Sequence, residues 1–176
     1  MRLFVAVNFS DDVKKQILLV QEQLRSQALK GNFSRSENLH ITLAFLGDTR
    51  GEPENLFRII DGIKASPFEI YFNRTGCFTH SHKELWWLGA DPKRAGFPVL
   101  LSVNTQLLDR LLNAGYPVDT RPFNAHITLA REVRHEGQII LDKPDIKVKV
   151  DRISLMNSER IRGTLTYTEI YCKKLG

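Results

Sequence analysis

The pentapeptide HITLA is written twice in this chain, at residues 40–44 and again at residues 126–130. In an extended strand alternate side chains share a face, so His40 and Thr42 project together, about 7 Å apart along the strand. Ile41 and Leu43 then face the opposite side, and His126, Thr128, Ile127 and Leu129 divide in the same way. Imidazole is the side chain that can give or take a proton near neutral pH. A hydroxyl can donate to an oxygen on which charge builds. Two imidazoles, one neutral and one protonated, on opposite sides of a phosphorus atom could take the proton of an attacking water and supply one to the leaving oxygen. Two threonine hydroxyls could hold the non-bridging oxygens. Phosphodiester cleavage of this kind calls for no metal and no organic cofactor. A repeat kept only for packing would retain Ile, Leu and Ala, but has less reason to retain His and Thr, which are costly on a buried face unless hydrogen-bonded.

The elements around the two copies repeat as well. RLFVAVNF reads as a buried strand. Ser10 is a candidate N-cap, with Asp11 and Asp12 in the first turn, and Val13, Ile17, Val20 and Leu24 set a helix over 11–29. NLHITLAFLG is the next strand. GEPENLFRIIDGIKAS gives a second helix, with a stripe of Leu56, Ile59, Ile60 and Ile63. FEIYFNRTGCF and ELWWLGAD are strands, a leucine-rich third helix runs over 98–114, and NAHITLAR is again a strand. The segment 146–172 alternates and predicts antiparallel sheet. Strand, helix and HITLA strand therefore occur twice, with 36 positions from Phe4 to His40 and 38 from Leu88 to His126. A looser echo follows each copy, near Asn73 and near Asp151. No linker rich in Pro, Gly or Ser separates the halves. The expectation is one domain over 1–176 in which two similar lobes, related by a pseudo-two-fold axis, bring both histidines to one groove.

The bulk numbers bound this reading. With 176 residues, 42% hydrophobic and 26% charged, the chain sits in the ordinary globular range. No apolar run reaches the length of a membrane span, and the N-terminus lacks the pattern of a signal peptide, which predicts a cytoplasmic protein. Cys77 and Cys172 have no metal-type spacing. The net charge is +5, and the excess lies in residues 89–176, with 14 Lys/Arg against 10 acids. That balance favours a polyanionic partner such as RNA. A monomer is the default expectation.

NLHITLAFLG and RPFNAHITLAR resemble the paired His-x-Thr motifs of the two-histidine (2H) phosphoesterases, and the RNA 2′,3′-cyclic phosphodiesterases, or LigT-like 2′-5′ RNA ligases, in particular. The likeness spans nearly the whole chain, including the opening RLFVAV and the WWLG before the third helix. It implies an α+β, bilobal fold, two pseudo-symmetric lobes of antiparallel sheet with outer helices around a central cleft. It implies metal-independent and cofactor-free opening of an RNA 2′,3′-cyclic phosphate to a 2′-phosphate, and joining or cleavage of 2′-5′ linkages. It makes His40 the proton donor and His126 the proton acceptor, with Thr42 and Thr128 gripping phosphate. Phe45 and Arg131 would flank the terminal base or phosphate. Regular strand parity would put those last two on the wrong face, so they can serve only if each strand bulges or ends there. The rival functions are an RNA-end binder without turnover, and a phosphodiesterase for small cyclic nucleotides or 2′-5′ oligonucleotides.

Other polar residues carry less. His80 and His82 are spaced like metal ligands but lack a third, and a solvated turn is expected. The polar stretch 132–144, with His135, reads as a mobile surface loop. Arg35 and Arg121 precede the two motifs, Arg121 being the better candidate for the groove mouth. Trp86 and Trp87 must face opposite sides, so at most one can stack on a base.

Overall fold

A computed structural model describes residues 1–176 as two antiparallel sheets and three helices. The chain runs β1 (Arg2–Asn8), α1 (Asp11–Gln27), β2 (Lys30–Phe33), a 3-10 turn (Ser36–Asn38), β3 (His40–Asp48), α2 (Glu54–Asp61), β4 (Phe68–His80) and β5 (Lys83–Ala90). It continues through α3 (Gly96–Asn113), β6 (His126–Arg134), β7 (Ile146–Val150), β8 (Arg152–Ile161) and β9 (Thr164–Lys174). The first sheet has the order β3-β1-β8-β9 and the second β2-β6-β5-β4-β7. No helix is long and apolar enough to cross a membrane.

The duplicated unit is visible as β1-α1-β3 and β5-α3-β6. In each, the strand before the helix pairs antiparallel with the HITLA strand after it, Asn8 opposite His40 and Gly89 opposite His126. Each unit is followed by a strand in the other sheet, directly in the first case and after β7 in the second: β4 pairs with β5, and β8 pairs with β1. These are the two looser echoes at Asn73 and Asp151. The lobes are pseudo-symmetric, yet neither is built from one half of the sequence alone. One continuous core of 36 buried residues draws on both sheets and all three helices.

Helix α1 starts where the Ser10 side chain accepts from the Val13 amide, and it buries Ile17, Val20, Gln21 and Leu24. Helix α3 buries Leu100, Val103, Asn104 and Leu107 at the same i, i+3, i+4, i+7 spacing. Each stripe thus carries one buried amide, at the same place.

Three boundaries depart from the periodicity. Helix α1 ends at Gln27, because the chain extends into β2, whose short KGNF sequence has no alternation to betray it. Helix α2 covers only Glu54–Asp61, since Pro53 stands at its N-cap and Gly62 ends it. Strand β6 runs on through Arg134, and the loop after it is tied down rather than loose. Gln27 donates to the Ile140 carbonyl at 2.7 Å and takes the Ile140 amide at 2.9 Å. Gln23 bonds both the side chain and the amide of Asp142. Ile139 is buried beneath. The polar look of 132–144 hid these partners, which come from α1, over a hundred positions away.

Candidate active site

Both histidines open their strands, and both are held in the same way. His40 Nδ1 donates to the Asn38 carbonyl at 2.7 Å, and His126 Nδ1 donates to the Asn124 carbonyl at 2.8 Å. The repeated word is therefore Asn-x-His-Ile-Thr-Leu-Ala, longer by two positions than the pentapeptide. A carbonyl can only accept, so it fixes the proton on Nδ1. Each Nε2 is left to carry an exchangeable proton. His40 Nε2 lies 3.0 Å from Thr42 Oγ1, on the same strand face.

Both rings sit among aromatic side chains. Phe4 and Tyr167 approach His40, with ring centroids at 4.9 and 5.3 Å. Phe78 meets His126 edge-on at 5.7 Å. Phe4, Ala6 and Met156 form a small apolar cluster of their own, apart from the main core and capped by Tyr167. Burial disfavours the imidazolium and holds both histidines below their ordinary value of 6.5, against the opposing pull of the Asn38 and Asn124 carbonyls. The positive charges of His126 and Arg131 lower His40 further, and Arg131 lowers His126. The two imidazoles and Arg131 thus share one electrostatic space. The sheets that carry them approach each other along β3 and β6.

The parity difficulty at Phe45 and Arg131 is resolved by a duplicated bulge. In β3, Thr42 pairs with Ala6 and Ala44 with Val5, leaving Leu43 as an extra residue. In β6, Thr128 pairs with Trp87 and Ala130 with Trp86, leaving Leu129 extra. An extra residue shifts the alternation by one. Leu43 and Ala44, like Leu129 and Ala130, are consecutively buried, and the next residue, Phe45 or Arg131, is exposed on the histidine side. His40, Thr42 and Phe45 share one face, as do His126, Thr128 and Arg131. The Arg2 guanidinium lies over the Phe45 ring at 5.2 Å.

The remaining candidates divide. Trp87 pairs with Thr128 on the site face, lying across Gly76 and Gly89, where any side chain would collide with its ring. Trp86 faces the other way and donates to Glu84 at 2.7 Å. His135, expected at a free surface, instead bonds Glu84 at 3.0 Å and the Gly137 carbonyl at 2.9 Å, bracing its loop. Arg35 is paired with Glu37, and Arg121 makes a forked bond to Asp119, so both are engaged locally on the surface. His80 ends β4 and His82 lies in the β4–β5 turn, where it and Ser81 have positive φ. No group of three His, Cys, Asp or Glu side chains is arranged to hold a metal. Cys77 and Cys172 are free thiols.

This architecture is the LigT-like fold. The crystal structure of apo Escherichia coli LigT superposes with a TM-score of 0.83 at 26% identity, covering 99% of this chain and 96% of that one. The same protein complexed with 3′-AMP gives a TM-score of 0.82 at 26% identity, covering 99% of this chain and 97% of that one. The sequence model of the 2′-5′ RNA ligase superfamily matches residues 10–162, and the chain belongs to that superfamily. Among curated relatives, the RNA 2′,3′-cyclic phosphodiesterase of Thermotoga maritima is 27% identical, covering 90% of this chain and 87% of its own length. That of Archaeoglobus fulgidus is 32% identical, covering 79% and 77%.

Proposed function

We propose that this chain hydrolyses the 2′,3′-cyclic phosphate at an RNA end to a 2′-phosphomonoester, using His40 and His126 as an acid–base pair and no metal. The observation that carries the reading is the matched tautomer: two imidazoles, each donating Nδ1–H to a carbonyl two residues back, each followed two positions on by a threonine on the same strand face. His126 Nε2 takes a proton from water as that oxygen attacks phosphorus. His40 Nε2–H delivers a proton to the departing 3′-oxygen on the opposite side. With an RNA 5′-hydroxyl attacking in place of water, and the same two roles, the step would join a 2′-5′ linkage without ATP; with the roles exchanged, the 3′-hydroxyl attacks and the 5′-oxygen leaves, cleaving that linkage to a cyclic phosphate. Thr42 and Thr128 donate to the non-bridging oxygens, and Arg131 offsets their charge. Phe45 offers an exposed ring to the terminal base.

Burial in the free site disfavours imidazolium, so a bound anion is what would favour the acid form. A phosphodiester anion entering between the rings reverses the balance, because an opposite charge nearby favours the protonated form. The substrate thereby recruits its own proton donor. Proton transfer and charge neutralisation are both supplied by side chains, which is why the proposal needs no cation.

The test is phosphorus NMR of an oligonucleotide with a 2′,3′-cyclic end. A 2′-phosphate product, formed equally with and without chelator, is expected. A 3′-phosphate product would refute the assigned geometry. Tight binding with no product would favour the RNA-end binder.

A further inference from the structure

The two bulges that turn Phe45 and Arg131 toward the site are each held by a buried amide from the opposite repeat. Asn104 Nδ2, on α3, donates to the Leu43 carbonyl at 2.8 Å. Gln21 Nε2, on α1, donates to the Leu129 carbonyl at 2.8 Å and to the Ser34 carbonyl at 2.8 Å. Asn104 is 5% exposed and Gln21 is 3% exposed. They and Ser154 are the buried polar residues of the chain. They occupy equivalent places in two apolar stripes, and the carbonyls they reach belong to equivalent leucines. Ser34 reinforces the second case, its amide reaching Leu129 O at 2.9 Å and its hydroxyl reaching Thr128 O at 2.7 Å.

We infer that Gln21 and Asn104 are positioning residues for the reaction proposed above, on which this inference rests. The physical reason is parity. A strand without the extra residue can present His and Thr, or Phe45 or Arg131, on the site face, but not both sets. The bulge is what allows both. It also disrupts the ladder locally, so its main-chain groups need donors from elsewhere. Strand β3 is the edge of its sheet, and there the amide of Asn104 stands where a neighbouring strand would have offered an N–H. Each repeat's helix thus sets the register of the other repeat's catalytic strand.

The experiment uses the full chain with Gln21→Met and Asn104→Leu, which preserve volume and remove the donor. Gln21→Ser and Asn104→Ser serve if either fails to fold. Turnover of the cyclic-ended oligonucleotide, corrected to folded protein, is expected to fall roughly ten- to a hundred-fold. The decisive readout is coupling. Gln21→Met combined with Arg131→Ala should cost less than the product of the single losses, and so should Asn104→Leu with Phe45→Ala. The crossed pairs, Gln21→Met with Phe45→Ala and Asn104→Leu with Arg131→Ala, should multiply. Loss within two-fold, or multiplication in all four pairs, overturns the inference. If the wild type leaves the cyclic end intact, it is the parent reading that has failed. Crystal structures of the two variants then decide: Arg131 and Phe45 turned out of the cleft support the role, and unaltered bulges overturn it.

Discussion

His40 and Asn38 are joined by a 2.7 Å bond from the imidazole Nδ1 to the main-chain carbonyl two residues back, and the Asn38 side chain in turn donates to the Leu165 carbonyl on β9 at 3.0 Å. The ring is therefore oriented by the first sheet's far hairpin as well as by its own strand. Asparagine placed at residue 40 can keep the Nδ1 bond, because its side-chain amide nitrogen falls near the same position. His40→Asn should fold normally yet lose activity by about a thousand-fold or more, and His126→Asn likewise. Single-turnover rates beside thermal melts check this. Near-wild-type turnover in either variant would remove the acid–base pair.

The pH dependence follows from the direction of the two shifts. Both histidines titrate below 6.5 in the free protein, burial being the largest cause. On the proposed mechanism the reactive state has one imidazole neutral and one protonated, so its population in the free enzyme peaks below that value. The proposed binding of the substrate anion would raise both values. The kcat/KM profile should therefore be centred at lower pH than the kcat profile. Stability shows the matching sign. An unfolded histidine takes its proton near 6.5, and the folded ones resist, so this contribution is complete above 6.5 and is lost as pH falls through the lowered folded values. A kcat/KM profile centred at higher pH than that of kcat would contradict the site electrostatics.

Thr42 and Thr128 are predicted to act in the transition state more than in the ground state. Valine preserves the β-branched shape and deletes the hydroxyl. Thr42→Val and Thr128→Val should each lower kcat by roughly 10²-fold with KM changed far less, and serine should restore most of it. Steady-state kinetics on the cyclic-ended oligonucleotide separates the two parameters. Equal effects on KM alone would reassign the hydroxyls to ground-state binding.

How far the sequence could carry this site is clear from the motif strands. Ile41 and Leu43 against His40 and Thr42 is plain alternation, so the face that carries the candidate residues could be read directly. The bulge could not, because Leu43 and Ala44 are both apolar and a run of two buried residues leaves no compositional mark. The shared Asn at residues 38 and 124 was available as a signal, since it lengthens the repeat. Gln21 and Asn104 were hidden inside stripes whose apolar members defined the helices. The exchange of β4 and β8 between sheets was out of reach for a different reason. The pairing of β8 with β1 joins opposite ends of the chain and is set by tertiary packing, while β4 follows its hairpin partner β5 into the second sheet. The weak echo between Asn73 and Asp151 was its only trace.

Arg131 is exposed, and its charge lowers both histidines. A contact with phosphate would be lost in Arg131→Ala whatever the base sequence. KM for an oligonucleotide should rise about ten-fold, and the slope of log affinity against log salt should shrink by about one. A titration series at several salt concentrations, using non-cleavable 2′-phosphate ends, measures it. An unchanged slope would place Arg131 off the phosphate.

Gly96 connects stability to catalysis. It opens α3, and a Cβ at that position would come within 1.8 Å of the Glu69 carbonyl oxygen on β4. Main chain cannot swing aside as a side chain can, so the helix itself has to shift. Gly96→Ala should destabilise the protein by about 3 kcal/mol, the upper part of the overpacking range, and lower its melting point by roughly 6–12 °C. Urea midpoints with an unchanged m-value would report this as a change in stability. Helix α3 also carries Asn104 to Leu43, eight residues beyond the contact. The folded fraction of Gly96→Ala should therefore turn over more slowly than its stability alone explains. Wild-type activity per folded molecule would mean that the helix start moves without disturbing the catalytic strand.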